Sequence, residues 1–344
     1  MEILGKDLTK RNVLLVAEIG LNHNGDMKLA KDMIQSASES GADIVKFQKR
    51  TIEKCFQKKV LDAPYLKPTS LGKTYREHKL KLEFSIEQLA ELKKTSDKNN
   101  IGFMCTPFDL QALEEVIKLG VPAIKIASHL LTNHELIIKA ASYGLPVILS
   151  TGMATREEVM ATYGIAKAFY PKTDVALLQC TSCYPAAIET LNVLAIKDLQ
   201  NIAPIVGFSN HCANFVPSIC AVAIGAKIIE QHFTLSHNLP GPDQKASLIP
   251  TDFRFMADAI KDALNCIGTE KKEFLEEEKE NRTKHHRTIV AARNLNANDY
   301  LRREDVVLLA PEEGVPAYYL GMMLGKKLKR DIKKDELIKP EDLL

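Results

Sequence analysis

Tryptophan is absent from the 344 residues and aromatic side chains make up only 6% of them, so the core must be built mainly from aliphatic residues. No apolar run approaches the roughly 20 residues that span a bilayer. The opening MEILGKDLTKRN lacks the apolar stretch of a secretory leader, and a cytosolic protein without a membrane partner is the expectation. Excess charge is missing too. With 46 Lys and Arg against 44 Asp and Glu, a net of +2, and no dense basic run, nucleic acid is argued against as a partner. The seven cysteines are odd in number and lie mostly in apolar surroundings, which speaks for reduced thiols over a disulfide framework. Cys180 and Cys183 form a CxxC, but no second pair completes a zinc site. What remains, 45% apolar and 26% charged residues, is the balance of a globular protein with ample core.

Short β-rich apolar runs recur with amphipathic stretches between them, the pattern of βα units around a parallel sheet. Strands are expected at 13–20, 44–48, 102–108, 123–128, 147–151, 175–182, 205–211 and 228–235. Helices are expected at 27–40, 86–99, 110–119, 134–143, 155–169, 190–200, 215–224 and 251–266. Eight such units match the size of a (β/α)8 TIM barrel better than that of a doubly wound sheet. The connection 49–85 is far longer than the usual 2–6 residues of a βα loop, and reads as an insertion or lid on the face where barrels carry their sites.

The chain thus divides into three stretches: a barrel over 1–268, a mixed-charge linker over 269–286 that includes His285 and His286, and a small β-rich module over 287–344. Within the module, LNANDYLRREDV (Leu295 to Val306) is echoed by IKKDELIKPEDL (Ile332 to Leu343), matching apolar, acidic and basic positions at an offset of 37 residues. Two copies of one turn-and-strand element imply pseudo-twofold symmetry. About 58 residues fold alone only marginally, so packing against a barrel would supply the missing burial.

A barrel opens the C-terminal ends of all its strands on one face. Residues at those ends are Glu18, Asn22 and His23; Lys46 and Gln48; Thr106; Lys125 and Ser128; Ser150 and Thr151; Thr181, Ser182 and Tyr184; Ser209 and His211; Glu230 and His232. Lys46 and Lys125 sit in otherwise apolar strands, where an unpaired ammonium is costly. A phosphate held with Ser128, Ser150 and Ser209 would answer that; so would an internal carboxylate such as Glu18, and a Schiff-base lysine is a third chemistry open to them. His211 and His232 end successive strands and form a candidate divalent-metal pair, with water and substrate oxygens completing the shell.

The strings AEIGLNHNGD, VKFQ, CTPFD, KIAS, PVILSTGM, QCTSCYP, GFSNH, EQHFTL and GPDQKAS occur in order between Ala17 and Ser247. Together they resemble the sialic acid (nonulosonic acid) synthase family, and the tail is similar to the antifreeze-like (SAF) domain that family carries. The resemblance implies a metal-dependent condensation of phosphoenolpyruvate with an N-acetylmannosamine-like aldehyde sugar. It places Lys46, Lys125, Ser128, Ser150 and Ser209 on the phosphate with Thr106 close by. His211 and His232 would hold Mn2+, or Mg2+ or Co2+. Gln48, Phe108, Tyr184 and Asp243 would face the sugar, and Glu18 would serve as acid/base. It also implies a homodimer whose tails cap the opposite barrels. A lysine Schiff-base aldolase and a non-catalytic sugar-phosphate-binding protein are the competing readings.

The match departs from the family in three places. Several members carry an acidic residue two positions after the fourth-strand serine to orient the attacking water, and some relatives carry leucine there; here Ser128 is followed by His129 and Leu130, which leaves that role unassigned. The aspartate that usually precedes the seventh-strand histidine is Asn210, which would lower the basicity of His211 if the two were hydrogen-bonded. The tail reads Leu309, Ala310, Pro311, Glu312 where the family offers an arginine before a Pro-Gly turn. The sugar is therefore open: N-acetylmannosamine, its 6-phosphate, or a diacetamido-trideoxy hexose.

Overall fold

The computed structural model describes residues 1–66 and 70–344; residues 67–69, inside the long 49–85 connection, lie outside the described residues. Two compact units divide at Gly268/Thr269. In the first, strands β1 (Leu14–Glu18), β2 (Ile44–Lys49), β3 (Gly102–Pro107), β4 (Ile124–Ile126), β5 (Val147–Ser150), β6 (Val175–Cys180), β7 (Ile205–Asn210) and β8 (Ile228–His232) form one parallel sheet in the order β3-β2-β1-β8-β7-β6-β5-β4. β3 and β4 lie side by side and close the circle, giving a (β/α)8 barrel.

Two-residue alternation builds its interior. Leu14, Val16, Ile44, Met104, Ala123, Ile148, Ala176, Leu178, Ile205 and Ile228 form one buried cluster, while their neighbours Leu15, Ala17, Val45, Phe47, Phe103, Val206 and Phe208 belong to a second, which includes helix residues. Each inward column is apolar at its base and polar at its top, for instance Leu14-Val16-Glu18, Ile44-Lys46-Gln48 and Ile228-Glu230-His232. Gly207 stands in one such column because a Cβ there would come within 2.3 Å of the Ile228 carbonyl and 2.5 Å of Leu178. A short antiparallel ribbon, Glu2–Ile3 with Lys6–Asp7, adds Ile3 and Leu8 to the inner cluster.

The helices α1 (Met27–Glu39), α5 (Ile86–Lys98), α6 (Leu110–Lys118), α7 (His134–Ala141), α8 (Arg156–Phe169), α9 (Ala195–Leu199), α10 (Val216–Ala223) and α11 (Pro250–Cys266) follow the strands. The helix expected over 190–200 shrinks to α9, preceded by a 3-10 turn at Ile188–Thr190, because Asn192 takes a left-handed φ of 43° that a continuous helix cannot contain. The 49–85 connection folds into α2 (Ile52–Cys55), α3 (Lys58–Leu61) and α4 (Tyr75–Leu82). Among the described residues no helix is long and apolar enough to cross a membrane.

In the second unit the charged stretch forms α12 (Lys279–His285), followed by strands β9 (Thr288–Ala291) and β10 (Val306–Leu309), paired antiparallel. The echo in the sequence is a structural two-fold. Asn298 and Asp335 both take positive φ, 74° and 68°, and their amides donate to Leu328 O and Ala291 O, so each turn is anchored on chain outside its own copy. Asp305 accepts from the Arg302 amide at 2.9 Å and pairs with Arg293 at 2.5 Å; Asp342 repeats this with the Lys339 amide at 2.9 Å and Arg330 at 2.7 Å. Both carboxylates are buried. Losing either buried carboxylate leaves a backbone amide and an arginine without their acceptor, so Asp305→Ala and Asp342→Ala should each destabilise this unit by about 1–3 kcal/mol, and by similar amounts; thermal unfolding of the two variants side by side measures it.

Candidate active site

Register brings the polar column tops together. His232 is opposite Glu18, Glu18 opposite Lys46, Gln48 opposite Thr106, and Ser209 lies between Cys180 and Glu230. They surround a cavity of about 420 Å³ at the C-terminal mouth of the barrel. Every residue singled out above for catalysis, substrate or metal lines it, from Glu18 to Asp243. Asn22, His23, Thr151 and Thr181 do not. Asn22 donates to Phe233 O and Ser247 Oγ, and Thr151 and Thr181 donate to the carbonyls of Leu178 and Thr190. His23 stacks on Phe84 at 4.1 Å, and burial holds its imidazole at about 3.

Both lysines are buried. Lys46 Nζ is 2.6 Å from Glu18 Oε2 and 3.7 Å from Glu230 Oε2, and donates to Thr106 Oγ1 at 3.1 Å. The carboxylate pairing left open by the sequence is thus realised at Lys46. Lys125 Nζ donates to Ser150 Oγ at 2.7 Å, with Glu230 Oε1 at 3.6 Å. Glu18 also accepts from Gln48 at 2.7 Å, and Glu230 from Ser209 at 3.0 Å. Burial works against the charge on Lys46, but Glu18 and then Glu230 outweigh it and hold the ammonium above its usual range. Lys125 is lowered, by burial first, against the opposing pull of Glu230. Burial would raise the Glu230 carboxyl; Lys125 and then Lys46 overcome it and hold it at about 2. Two lysines and two carboxylates therefore form an electroneutral quartet beneath a ring of hydroxyls. Ser128 Oγ, 3.1 Å from Cys180 Sγ, accepts from the Gly152 amide at 3.2 Å. Gly152 is required there, since a Cβ would fall 2.3 Å from Ser182 Oγ and 3.0 Å from Ser128 Oγ.

Opposite this cradle the His211 and His232 rings lie 5.3 Å apart at 65°. His211 Nδ1 donates to Thr181 O at 2.6 Å, which leaves the lone pair on Nε2, facing the Tyr184 hydroxyl at 3.2 Å. Burial, then the neighbouring His232, hold this imidazole at about 3, uncharged at neutral pH. His232 Nδ1 is buried without a hydrogen-bond partner, 4.0 Å from Asp243 Oδ2. An orphaned imidazole nitrogen, a second imidazole with a fixed lone pair, and nearby phenol and carboxylate oxygens make a donor set that fits a divalent ion of borderline softness. Among the described residues no group of three or more His, Cys, Asp or Glu gathers as a metal site, so solvent or substrate would have to complete the coordination. Asn210 is not the hydrogen-bond partner of His211: its amide nitrogen donates to Gln231 and to Asn214 O, so the expected loss of basicity by that route does not arise.

The insertion read from the sequence as lying on the site face does reach the cavity, through residues that sequence reasoning did not name. Arg50, Phe56, Tyr75 and Lys79 line the cavity, as do His129 and Met153. Arg50 is pinned by Glu83 and Gln48, and lies 3.7 Å over the Phe108 ring. Burial, then Arg50, bring Lys79 down to about 8.

Fold and site together define a (β/α)8 barrel with a buried cavity, lined by lysines, hydroxyls and imidazoles, at the C-terminal ends of its strands. The chain belongs to the NeuB family, whose model matches residues 33–272, with an SAF domain matched over 286–344. It is 35% identical to the N,N'-diacetyllegionaminic acid synthase of Campylobacter jejuni over 96% of this chain and 99% of that protein. To the human N-acetylneuraminate-9-phosphate synthase it is 34% identical, over 95% of this chain and 91% of that protein. Among solved structures, the N-acetylneuraminic acid synthetase of Leptospira borgpetersenii superposes with a TM-score of 0.70 at 33% identity, covering 78% of this chain and 90% of that one.

Proposed function

We propose that the protein is a nonulosonic acid synthase, condensing phosphoenolpyruvate with an N-acetylmannosamine-type aldehyde sugar to give a nine-carbon 2-keto acid and phosphate. The observation that carries this reading is one barrel mouth in which a buried two-lysine, hydroxyl-lined cradle faces two imidazoles with available lone pairs.

Lys125, with Ser150, Ser128 and Ser209 as further hydrogen-bonding groups, binds the phosphate, and Lys46 with Thr106 fixes the same anion from the β2–β3 side. Because the quartet is already electroneutral, a phosphoenolpyruvate anion brings charge that calls for another cation. His211 and His232 would hold a divalent ion, Mn2+ by preference over Mg2+ or Co2+, whose contribution is to polarise the sugar carbonyl. Glu18, oriented by Lys46 and Gln48, is the acid/base group at the oxygen of the former aldehyde. Gln48, Phe108, Tyr184 and Asp243 face the sugar. A homodimer whose SAF modules cap the opposite barrels is part of the same proposal, and sedimentation would report the dimer.

The decisive assay is phosphate release from phosphoenolpyruvate with N-acetylmannosamine, its 6-phosphate and a diacetamido-trideoxy hexose, under scanned divalent cations. Stoichiometric phosphate and keto acid with one of them is the expected result; none with any would refute the synthase reading. Borohydride distinguishes the aldolase, since trapping a substrate on Lys125 or Lys46 would require a Schiff base.

A further inference from the structure

The cavity contains a basic side chain that the reaction above leaves without a task. At the end of β4 the 3-10 turn Ser128–Leu130 divides three consecutive side chains between the cavity and the core. Leu130 packs on the core, while Ser128 and His129 line the cavity. His129 leans on Phe108, the ring centroids 5.0 Å apart, against the same ring that carries Arg50. Among the described residues nothing hydrogen-bonds to its imidazole. Burial first, then Arg50, Lys125 and Lys79, hold it at about 4. At neutral pH the ring is uncharged and one nitrogen offers an open lone pair.

The condensation needs such a group. Once C3 of phosphoenolpyruvate has bonded to the aldehyde carbon, C2 is electron-deficient and water must add there, losing a proton. Two carboxylates of the cavity are engaged, Glu18 with Lys46 and Gln48 and Glu230 with Ser209 between the two lysines, while Asp243 stands on the imidazole side, 4.0 Å from His232, among the groups placed on the sugar. His129 follows directly on Ser128 of the phosphate cradle and is free of any such commitment.

We propose that His129 is the general base that deprotonates the water adding to C2, the role left unassigned by the departure at Leu130; the inference rests on the synthase reading. The water oxygen bonds to C2 while one O–H bond breaks and its proton passes to the imidazole. The C2–O bond to phosphorus-bound oxygen then breaks, its electron pair leaving with phosphate. The new C2 hydroxyl gives up its proton to become the ketone. Of the two protons from water, one ends on phosphate, returned through the imidazolium, and the other on the former aldehyde oxygen. No oxidant or reductant is involved.

His129→Ala, assayed in the full-length protein with saturating phosphoenolpyruvate and sugar, should lose about 10²-fold or more in kcat. The Michaelis constant for phosphoenolpyruvate should change little, because the lysines and serines that hold the anion are untouched. Added imidazole should restore part of that turnover, more so for more basic methylimidazoles, a response that a merely structural role would not give. His129→Gln, which keeps polar bulk but supplies no base, carries the same kcat test should the alanine variant fold poorly. A kcat close to that of the parent in either variant, or an alanine variant that binds phosphoenolpyruvate normally yet ignores imidazole, overturns the assignment. An active parent with an unimpaired variant sinks this inference alone, whereas a parent that releases no phosphate sinks the synthase reading and this one with it.

Discussion

Turnover by His232→Ala is expected to fall by about 10³-fold or more, with the chain still folded, since carbonyl polarisation supplied by a bound ion amounts to several kcal/mol. The side chain ends β8 opposite Glu18, and its Nδ1 has no hydrogen-bond partner, so its removal would delete one of the two proposed ligands without stranding another protein group. His211→Ala should match it in activity. It additionally frees the Thr181 carbonyl, which accepts from His211 at 2.6 Å, and so should be the less stable of the two. Phosphate release under saturating substrates, and metal content after dialysis, check both variants. Full activity in excess chelator, or in either variant, would remove the ion from the mechanism.

The second large effect concerns Lys46→Met. Its ammonium neutralises Glu18 at 2.6 Å and helps to neutralise Glu230 at 3.7 Å. Taking it away leaves two buried carboxylates to share Lys125, and breaking a buried pair from one side costs about 3–5 kcal/mol. Phosphoenolpyruvate affinity should fall together with stability, because the repulsion now felt by the carboxylates is felt by the anion as well. The double variant Lys46→Met/Glu18→Gln should recover much of the stability but not the affinity, which separates the two roles of the lysine. Denaturant unfolding and titration calorimetry read them independently. An unchanged phosphoenolpyruvate affinity in the single variant would confine Lys46 to a structural ion pair.

Strand periodicity explains why so much of this site could be read from the sequence. In VKFQ, Lys46 and Gln48 share a face while Val45 and Phe47 take the other; in IIEQH, Glu230 and His232 do the same around Gln231. Once a barrel was inferred, such alternation told which side chains meet at the mouth. Loops and turns follow no such period. Nothing in HLLTN says that His129 turns to the cavity and Leu130 to the core, because a single 3-10 turn decides it. Arg50 and Lys79 enter from a connection whose helices are short and weakly patterned, and Arg50 is placed by Glu83 and the Phe108 ring, partners distant in sequence. The loss of the helix over 190–194 hinges on one backbone angle at Asn192. The Glu18–Lys46 pair was legible as an option but not as a choice, since one buried ammonium can be satisfied by a side chain or by a ligand.

The duplicated element of the C-terminal unit has a bearing on how that unit can come apart. Its halves are interleaved and not stacked: the turn at Asn298 is tied to Leu328 and the turn at Asp335 to Ala291, so each loop is buckled to a strap belonging to the other. Neither half can be shed singly, and trimming the last dozen or so residues would unlace the unit as a whole instead of shortening it.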